Sequence, residues 1–125
     1  MGEFSIIGKP VPMVDGSGKV TGRGIYTDDM KMSGMLYARI FRSVHPHAKI
    51  LKLDTTRAEQ VPGVIAVVTG KELTQKYGIL PVGHDETALA VDKVRYVGEG
   101  VAAIAATSPE AAEEAISKIE VVYEP

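Results

Sequence analysis

The chain has 125 residues, 45% of them hydrophobic and 24% charged, with 14 basic against 16 acidic residues for a formal net charge of −2. That length suits one domain, able to bury about two thirds of its unfolded surface without staples. The near-balanced charge gives no electrostatic reason to bind nucleic acid or an anionic membrane. The absence of cysteine excludes disulfides, thiolate zinc sites and protein-held iron–sulfur clusters within the chain.

A cysteine-free chain fits a reducing compartment. No apolar run approaches the roughly 18 residues of a membrane-spanning helix. Met1 to Pro12 lacks the long apolar core of a secretory signal, so the expected location is the cytoplasm.

Residues 1–34 hold Gly8, Pro10, Pro12, Gly16, Gly18, Gly22, Gly24 and Gly34, a density that disfavours long regular elements. They read as an extended arm. Its apolar residues Ile6, Ile7, Val11, Val14, Val20, Ile25 and Met30 need a surface to lie on. Residues 35–125 read as a compact core. Leu36–Arg42 and Lys49–Asp54 alternate apolar and polar positions, the period of a half-covered strand. The short link through His45-Pro46-His47 predicts that they pair as antiparallel neighbours. Thr55–Gln60 is a short helix capped by Asp54 or Thr55 and ended by Pro62-Gly63.

Val64–Val68 is a continuous β-branched run and predicts a strand covered on both faces. Gly70 to Lys76 reads as a helical turn, and Gly78 to Leu89 as a long loop around Pro81 and Gly83. Strand character resumes over Val91–Val97, followed by a turn at Gly98-Glu99-Gly100. Val101–Thr107 predicts the most buried strand, its alanines leaving room for a close-packed helix. That helix begins at the N-cap Ser108, with Pro109 first in line, and buries Ala112, Ala115, Ile116 and Ile119 at helical spacing. A last strand covers Glu120–Tyr123. Strands and helices in this order predict an α+β domain.

Candidate sites are few. Gly16-Ser17-Gly18-Lys19 fails as a phosphate loop: Met13 occupies the leading glycine position, and Val20 the place of the magnesium-binding hydroxyl. Thr21 breaks the dinucleotide pattern too, so the glycines are read as turn residues. His45 and His47 lack an adjacent third metal ligand and read as surface imidazoles. His84-Asp85-Glu86 reads as a solvated tip or partner contact, with a weak cation site as the third alternative. Asp28-Asp29 offers paired carboxylates, one of which can instead accept bonds from turn amides. Glu99, between two glycines, is the carboxylate to check for a functional position; the plainer alternative is a solvated turn residue. Ser43 has no evident orienting acid for nucleophilic work. Tyr26, Tyr37, Tyr77, Tyr96 and Tyr123 are scattered and form no base-stacking platform. No residue is assigned a catalytic, cofactor-binding or metal-binding role.

Five blocks in register carry a resemblance. Ile7-Gly8-Lys9-Pro10-Val11-Pro12 runs on through Val14-Asp15-Gly16, Lys19-Val20-Thr21-Gly22, Tyr26 and Asp29. Leu36-Tyr37-Ala38-Arg39-Ile40 precedes Arg42-Ser43-Val44-His45-Pro46-His47-Ala48-Lys49-Ile50. Pro62–Gly70, Val94–Glu99 and Ile119–Pro125 complete the set. Together they resemble the opening of the molybdenum-cofactor-binding large subunit of the xanthine dehydrogenase and aldehyde oxidase family. The stretch from Tyr77 to Tyr96 looks closest to the 4-hydroxybenzoyl-CoA reductase branch. Gly100 departs from the pattern, where the family commonly has proline, a change that loosens the turn.

The resemblance implies an α/β-hammerhead fold, a mixed sheet with short helices, within a fragment of a larger subunit. It implies a parent molybdenum hydroxylase acting on N-heterocycles, aldehydes or aryl-CoA. The molybdenum–pterin cofactor would be held beyond residue 125, and iron–sulfur clusters and FAD on partner domains. The expected role is a structural interface that packs on the rest of the molybdenum-binding subunit and on the iron–sulfur partner. The alternative is a free-standing binding or assembly protein of the same fold.

Overall fold

The computed structural model describes residues 4–125. The chain divides into two units, Met1–Ser33 and Gly34–Pro125.

The first unit carries a five-residue helix, α1 (Gly16–Val20), and a 3-10 turn over Thr27–Asp29. Gly16 and Gly18, expected in turns, lie inside α1. The helix is closed locally: the Thr21 hydroxyl donates to Ser17 O at 2.7 Å, and Lys19 Nζ lies 2.5 Å from Asp15 Oδ2. No described residue of this unit is buried.

The second unit contains β1 (Tyr37–Arg42), β2 (Ala48–Asp54), α2 (Thr56–Glu59), β3 (Val64–Thr69), β4 (Lys76–Tyr77), β5 (Glu86–Thr87), β6 (Lys93–Val94), β7 (Gly100–Ala106), α3 (Pro109–Ser117) and β8 (Glu120–Glu124). The strands form three small sheets, ordered β1-β7-β3, β6-β2-β8 and β4-β5. Every described pairing is antiparallel, so the mixture lies in strands alternating with helices, not in strand direction.

The organising strand is β7. It lies between β1 and β3, and Val101, Ala102, Ile104 and Ala106 are all but inaccessible. Ala102 and Ile104 meet Ala58, Val61, Ala115 and Ile119 in one core cluster. Val101 joins Ala48, Ala90 and Val94 in a second, and Phe41 and Leu53 pack against both. The helix over the first cluster starts as its sequence predicts. The Ser108 hydroxyl accepts the Ala111 N–H at 3.1 Å, and Ala112 and Ala115 are fully buried.

Several expectations are corrected. β1 and β2 do not pair; they lie in different sheets. Ser43 turns the chain between them, its N–H donating to Glu99 O at 2.9 Å and its carbonyl accepting the Gly98 N–H at 2.8 Å. Hydrogen bonds to the distant 98–99 turn thus replace those of a local hairpin. β3 is not covered on both faces but is an edge strand with Ile65 61% exposed. Val64 pairs with Ala106 and Ala66 with Ala105, so Ile65 is the extra residue of a bulge and projects outward.

Residues 70–72 form a tight turn, not a helix. The Glu72 carboxylate accepts the Thr69 N–H at 2.7 Å, and the Glu72 N–H donates to Thr69 O at 3.1 Å. The loop from Gly78 is the tip of the β4–β5 hairpin. Gly78 is required there, because a Cβ would strike the Gly83 carbonyl. Strand over Val91–Val97 shrinks to Lys93–Val94, since the chain must turn at once into the Glu99 loop.

Asp54 closes β2. Its carboxylate bonds Lys52 Nζ at 3.0 Å and accepts the Thr56 N–H at 3.2 Å. Bonding to Lys52 and Thr56 holds its pKa at about 2, below the ordinary 3.8. A lowered folded-state pKa gives stability that is full above 3.8 and is lost as pH falls toward 2. The melting temperature of the Asp54→Asn variant should therefore fall less steeply than the parent's across that window. The contribution is modest, because the pair faces water. For the core, Ala115→Leu should cost about 1–3 kcal/mol or more in urea unfolding, since the helix has no gap into which the added atoms can fit.

Candidate functional site

Glu99 is 9% exposed, not a solvated turn residue. Gly98 supplies the positive φ (90°) that turns the chain just before it. The Glu99 carboxylate accepts the Arg95 N–H in a short hydrogen bond, and the Arg95 guanidinium approaches its other oxygen at 3.5 Å. Glu99 N–H donates to Tyr96 O at 3.3 Å, and Arg42 Nη1 donates to Gly98 O at 2.7 Å. The carboxylate thus folds its own loop, and Arg42 ties that loop to β1. Gly100 does not loosen it. Its carbonyl accepts the Ala90 N–H at 2.8 Å, and an added Cβ would press on Leu89 and Ile40 at 3.0 and 3.1 Å. Residues 95–99 form no helix, so their spacing carries no signal for this pair and the turn alone brings them together.

Beside the loop is a cleft of about 310 Å³ lined by Tyr77, Asp85, Glu86, Thr87, Arg95, Tyr96 and Glu99. It joins three features that are separate in the sequence: the Glu99 turn, the Asp85-Glu86 pair and two of the scattered tyrosines. Three carboxylates there face one guanidinium, which Glu99 already engages. Such a wall repels anions and attracts cations.

Ser43, His45 and Tyr123 form a second cluster. The buried Ser43 hydroxyl donates to His45 O at 3.1 Å and accepts the His45 N–H at 3.0 Å. It is thus engaged with the backbone of its own turn and not with the imidazole. The His45 ring packs at 58° on Tyr123, with centroids 4.8 Å apart. The Tyr123 hydroxyl is buried beside Ser43 without a well-formed hydrogen bond, and burial raises its pKa. Sequence reading missed this packing, because Tyr123 comes from β8, far along the chain.

The remaining candidates stay apart. His47 and His84 are exposed on separate segments, and among the described residues no three His, Asp or Glu side chains converge as a metal site. Asp29 accepts the Tyr26 N–H at 3.0 Å, a turn-capping role, beside an exposed Asp28. Lys19, of the failed phosphate-loop pattern, is engaged by Asp15.

Residues 21–125 match the family described as aldehyde oxidase and xanthine dehydrogenase, a/b hammerhead domain. The chain belongs to that family. It is 46% identical over 121 residues to a probable xanthine dehydrogenase subunit of Bacillus subtilis, covering 94% of this chain and 16% of that one. It is 36% identical over 122 residues to the nicotinate dehydrogenase large molybdopterin subunit of Eubacterium barkeri, covering 98% of this chain and 29% of that one. Among solved structures, Cu,Mo-CO dehydrogenase superimposes with a TM-score of 0.85 at 37% identity, over 94% of this chain and 15% of that chain. Quinoline 2-oxidoreductase from Pseudomonas putida 86 gives 0.84 at 36% identity, over 94% and 16%. The hammerhead fold is therefore established, and the chain spans less than a third of the length of these curated relatives.

The family implies a molybdenum–pterin cofactor, and the lining of the cleft beside Glu99 does not fit one. That cleft presents Asp85, Glu86 and Glu99 where a phosphate-bearing pterin needs donors or cations, and its one guanidinium is engaged. No chemical step is assigned to these residues. Glu99 is expected to matter for stability. Glu99→Ala should lose about 1–3 kcal/mol in urea unfolding by stranding the Arg95 N–H, and Glu99→Gln, which keeps an acceptor, should lose less.

Proposed function

We propose that this domain is a non-catalytic scaffold and interface element of a molybdenum hydroxylase, a cytoplasmic oxidoreductase acting on N-heterocycles, aldehydes or aryl-CoA. In this reading the molybdenum–pterin cofactor is held by the remainder of the large subunit. Iron–sulfur clusters and FAD reside on partner domains, and the chemistry belongs to them. The domain supplies surface: the first unit packs on the subunit body, and the second presents its sheets and loops to the body and the iron–sulfur partner.

The observation that carries this reading is the first unit. Val14 is fully accessible, and Ile7, Val20 and Ile25 are 73%, 85% and 80% exposed. Apolar residues at this density that are not buried within their own unit mark a surface for association. Similarity to large subunits of which the chain spans a sixth to a third agrees. Among the described residues no helix is long and apolar enough to cross a membrane, so a lipid-spanning helix is not what this apolar surface forms.

Two experiments test the reading. The open reading frame beyond codon 125 should continue into the cofactor-binding body; a stop codon there would overturn the proposal in favour of a free-standing binding protein. In the full-length subunit, Val14→Asp with Val20→Asp should lower the yield of assembled, molybdenum-loaded enzyme several-fold, because burying each carboxylate costs several kcal/mol. The same pair in the 125-residue chain should leave its circular dichroism unchanged. Equal yields from variant and parent subunits would show that the arm is not an interface.

A further inference from the structure

Residues 30–36 belong to no helix or strand, and every one of them is exposed. The division of the chain into two units falls among them, between Ser33 and Gly34. Gly34 turns the chain there at φ 74°, in open space with no atom within 4 Å of where a Cβ would stand. Lys31 lies in this stretch. Among the described residues it has neither a hydrogen bond nor an ion pair.

The other lysines and arginines are placed differently. Those of the second unit lie within β1, β2, α2, β4 and β6, except for three. Lys71 stands in the turn that Thr69 and Glu72 close. The Arg95 N–H is on the Glu99 carboxylate, and the Lys118 N–H donates to Ala115 O at 3.0 Å. In the first unit Lys19 lies within α1, and the Arg23 N–H donates to Gly18 O at 2.9 Å. Lys9 precedes Pro10, whose ring crowds the bond that a protease would have to cut. A protease must draw several residues of its substrate into an extended strand before it cuts. Bonded helices, strands and turns resist this until they open, and an exposed link does not.

The fold beyond the link stands on its own residues. Both core clusters are drawn from residues 41–123, and the ion pairs of the second unit join its own side chains. No described residue of the first unit is buried, so its removal takes nothing out of either cluster.

We infer that residues 30–36 are an endoproteolytic processing site, cut after Lys31 by a protease of tryptic specificity, and that the second unit keeps its fold once the first is gone. Water adds across the Lys31–Met32 amide, leaving a carboxylate on Lys31 and an amine on Met32. The acidic specificity pocket of such a protease takes the lysine ammonium. The cut detaches the apolar surface on which the proposed function rests, so the product is a folded domain without its docking arm. The cut and the survival of the core do not depend on the molybdenum reading, and neither is measured through assembly.

Trypsin at a low ratio to the 125-residue chain, followed over time by mass spectrometry, tests it. The first product should begin at Met32 and accumulate. It should keep the circular dichroism of folded strands and helix and the urea midpoint of the parent. Lys31→Gln should slow the loss of intact chain about tenfold, because the next cut waits for a bonded element to open. Met32→Pro, which keeps the lysine and blocks the bond, should slow it equally. The inference is overturned if the first cut falls after any other residue, if the Met32 product unfolds or is degraded as it forms, or if Lys31→Gln leaves the rate unchanged.

Discussion

The close contact between β7 and α3 governs this domain. Ala102 on the strand and Ala115 on the helix are fully inaccessible and share one core cluster, so the two elements meet through small side chains. Larger side chains on either would hold them apart and open the cluster that Ala58, Val61, Ile104 and Ile119 complete. The opposite face of β7 contributes Val101, which meets the sheet that contains β2. A strand with both edges paired and side chains in two core clusters leaves little freedom to its surroundings.

From that constraint follows the placement of the Glu99 loop. β7 must enter its position between β1 and β3 directly from the turn at Gly98, so the turn carries the strand's register. Glu99 folds back on Arg95, Arg42 reaches across to the Gly98 carbonyl, and Ser43 bonds to the same loop. A buried carboxylate of this kind invites a catalytic reading. Its partners are the backbone and guanidinium of its own loop, which makes it a structural clasp. The cation-attracting cleft beside it is a by-product of gathering Asp85, Glu86 and Glu99 around that clasp.

The domain is well packed inside and incompletely satisfied outside. The first unit exposes its apolar side chains, and β3 exposes an uncharged edge. Both features cost solubility in isolation. Both are consistent with a domain of a family whose relatives are several times longer than this chain.

Local patterns determined much of this from the sequence alone. Ser108-Pro109 and the apolar spacing through Ile119 specified α3, because capping and helical period are properties of neighbouring residues. The alanine run of β7 likewise announced a strand meeting a helix. Five short blocks in order were enough to reveal the family, although each block carries little chemistry. Tertiary structure decided what depends on partners distant in sequence. The β1 and β2 runs look like a hairpin but are drawn into separate sheets by β7 and β8. The Val64–Val68 run looks buried but lies at an edge, because apolarity records a preference for burial and not which neighbour provides it. Glu99 looks solvated between its glycines, and only the fold of its loop places Arg95 over it. A side chain's composition and spacing fix its local conformation; its burial is set by which segments the core brings together.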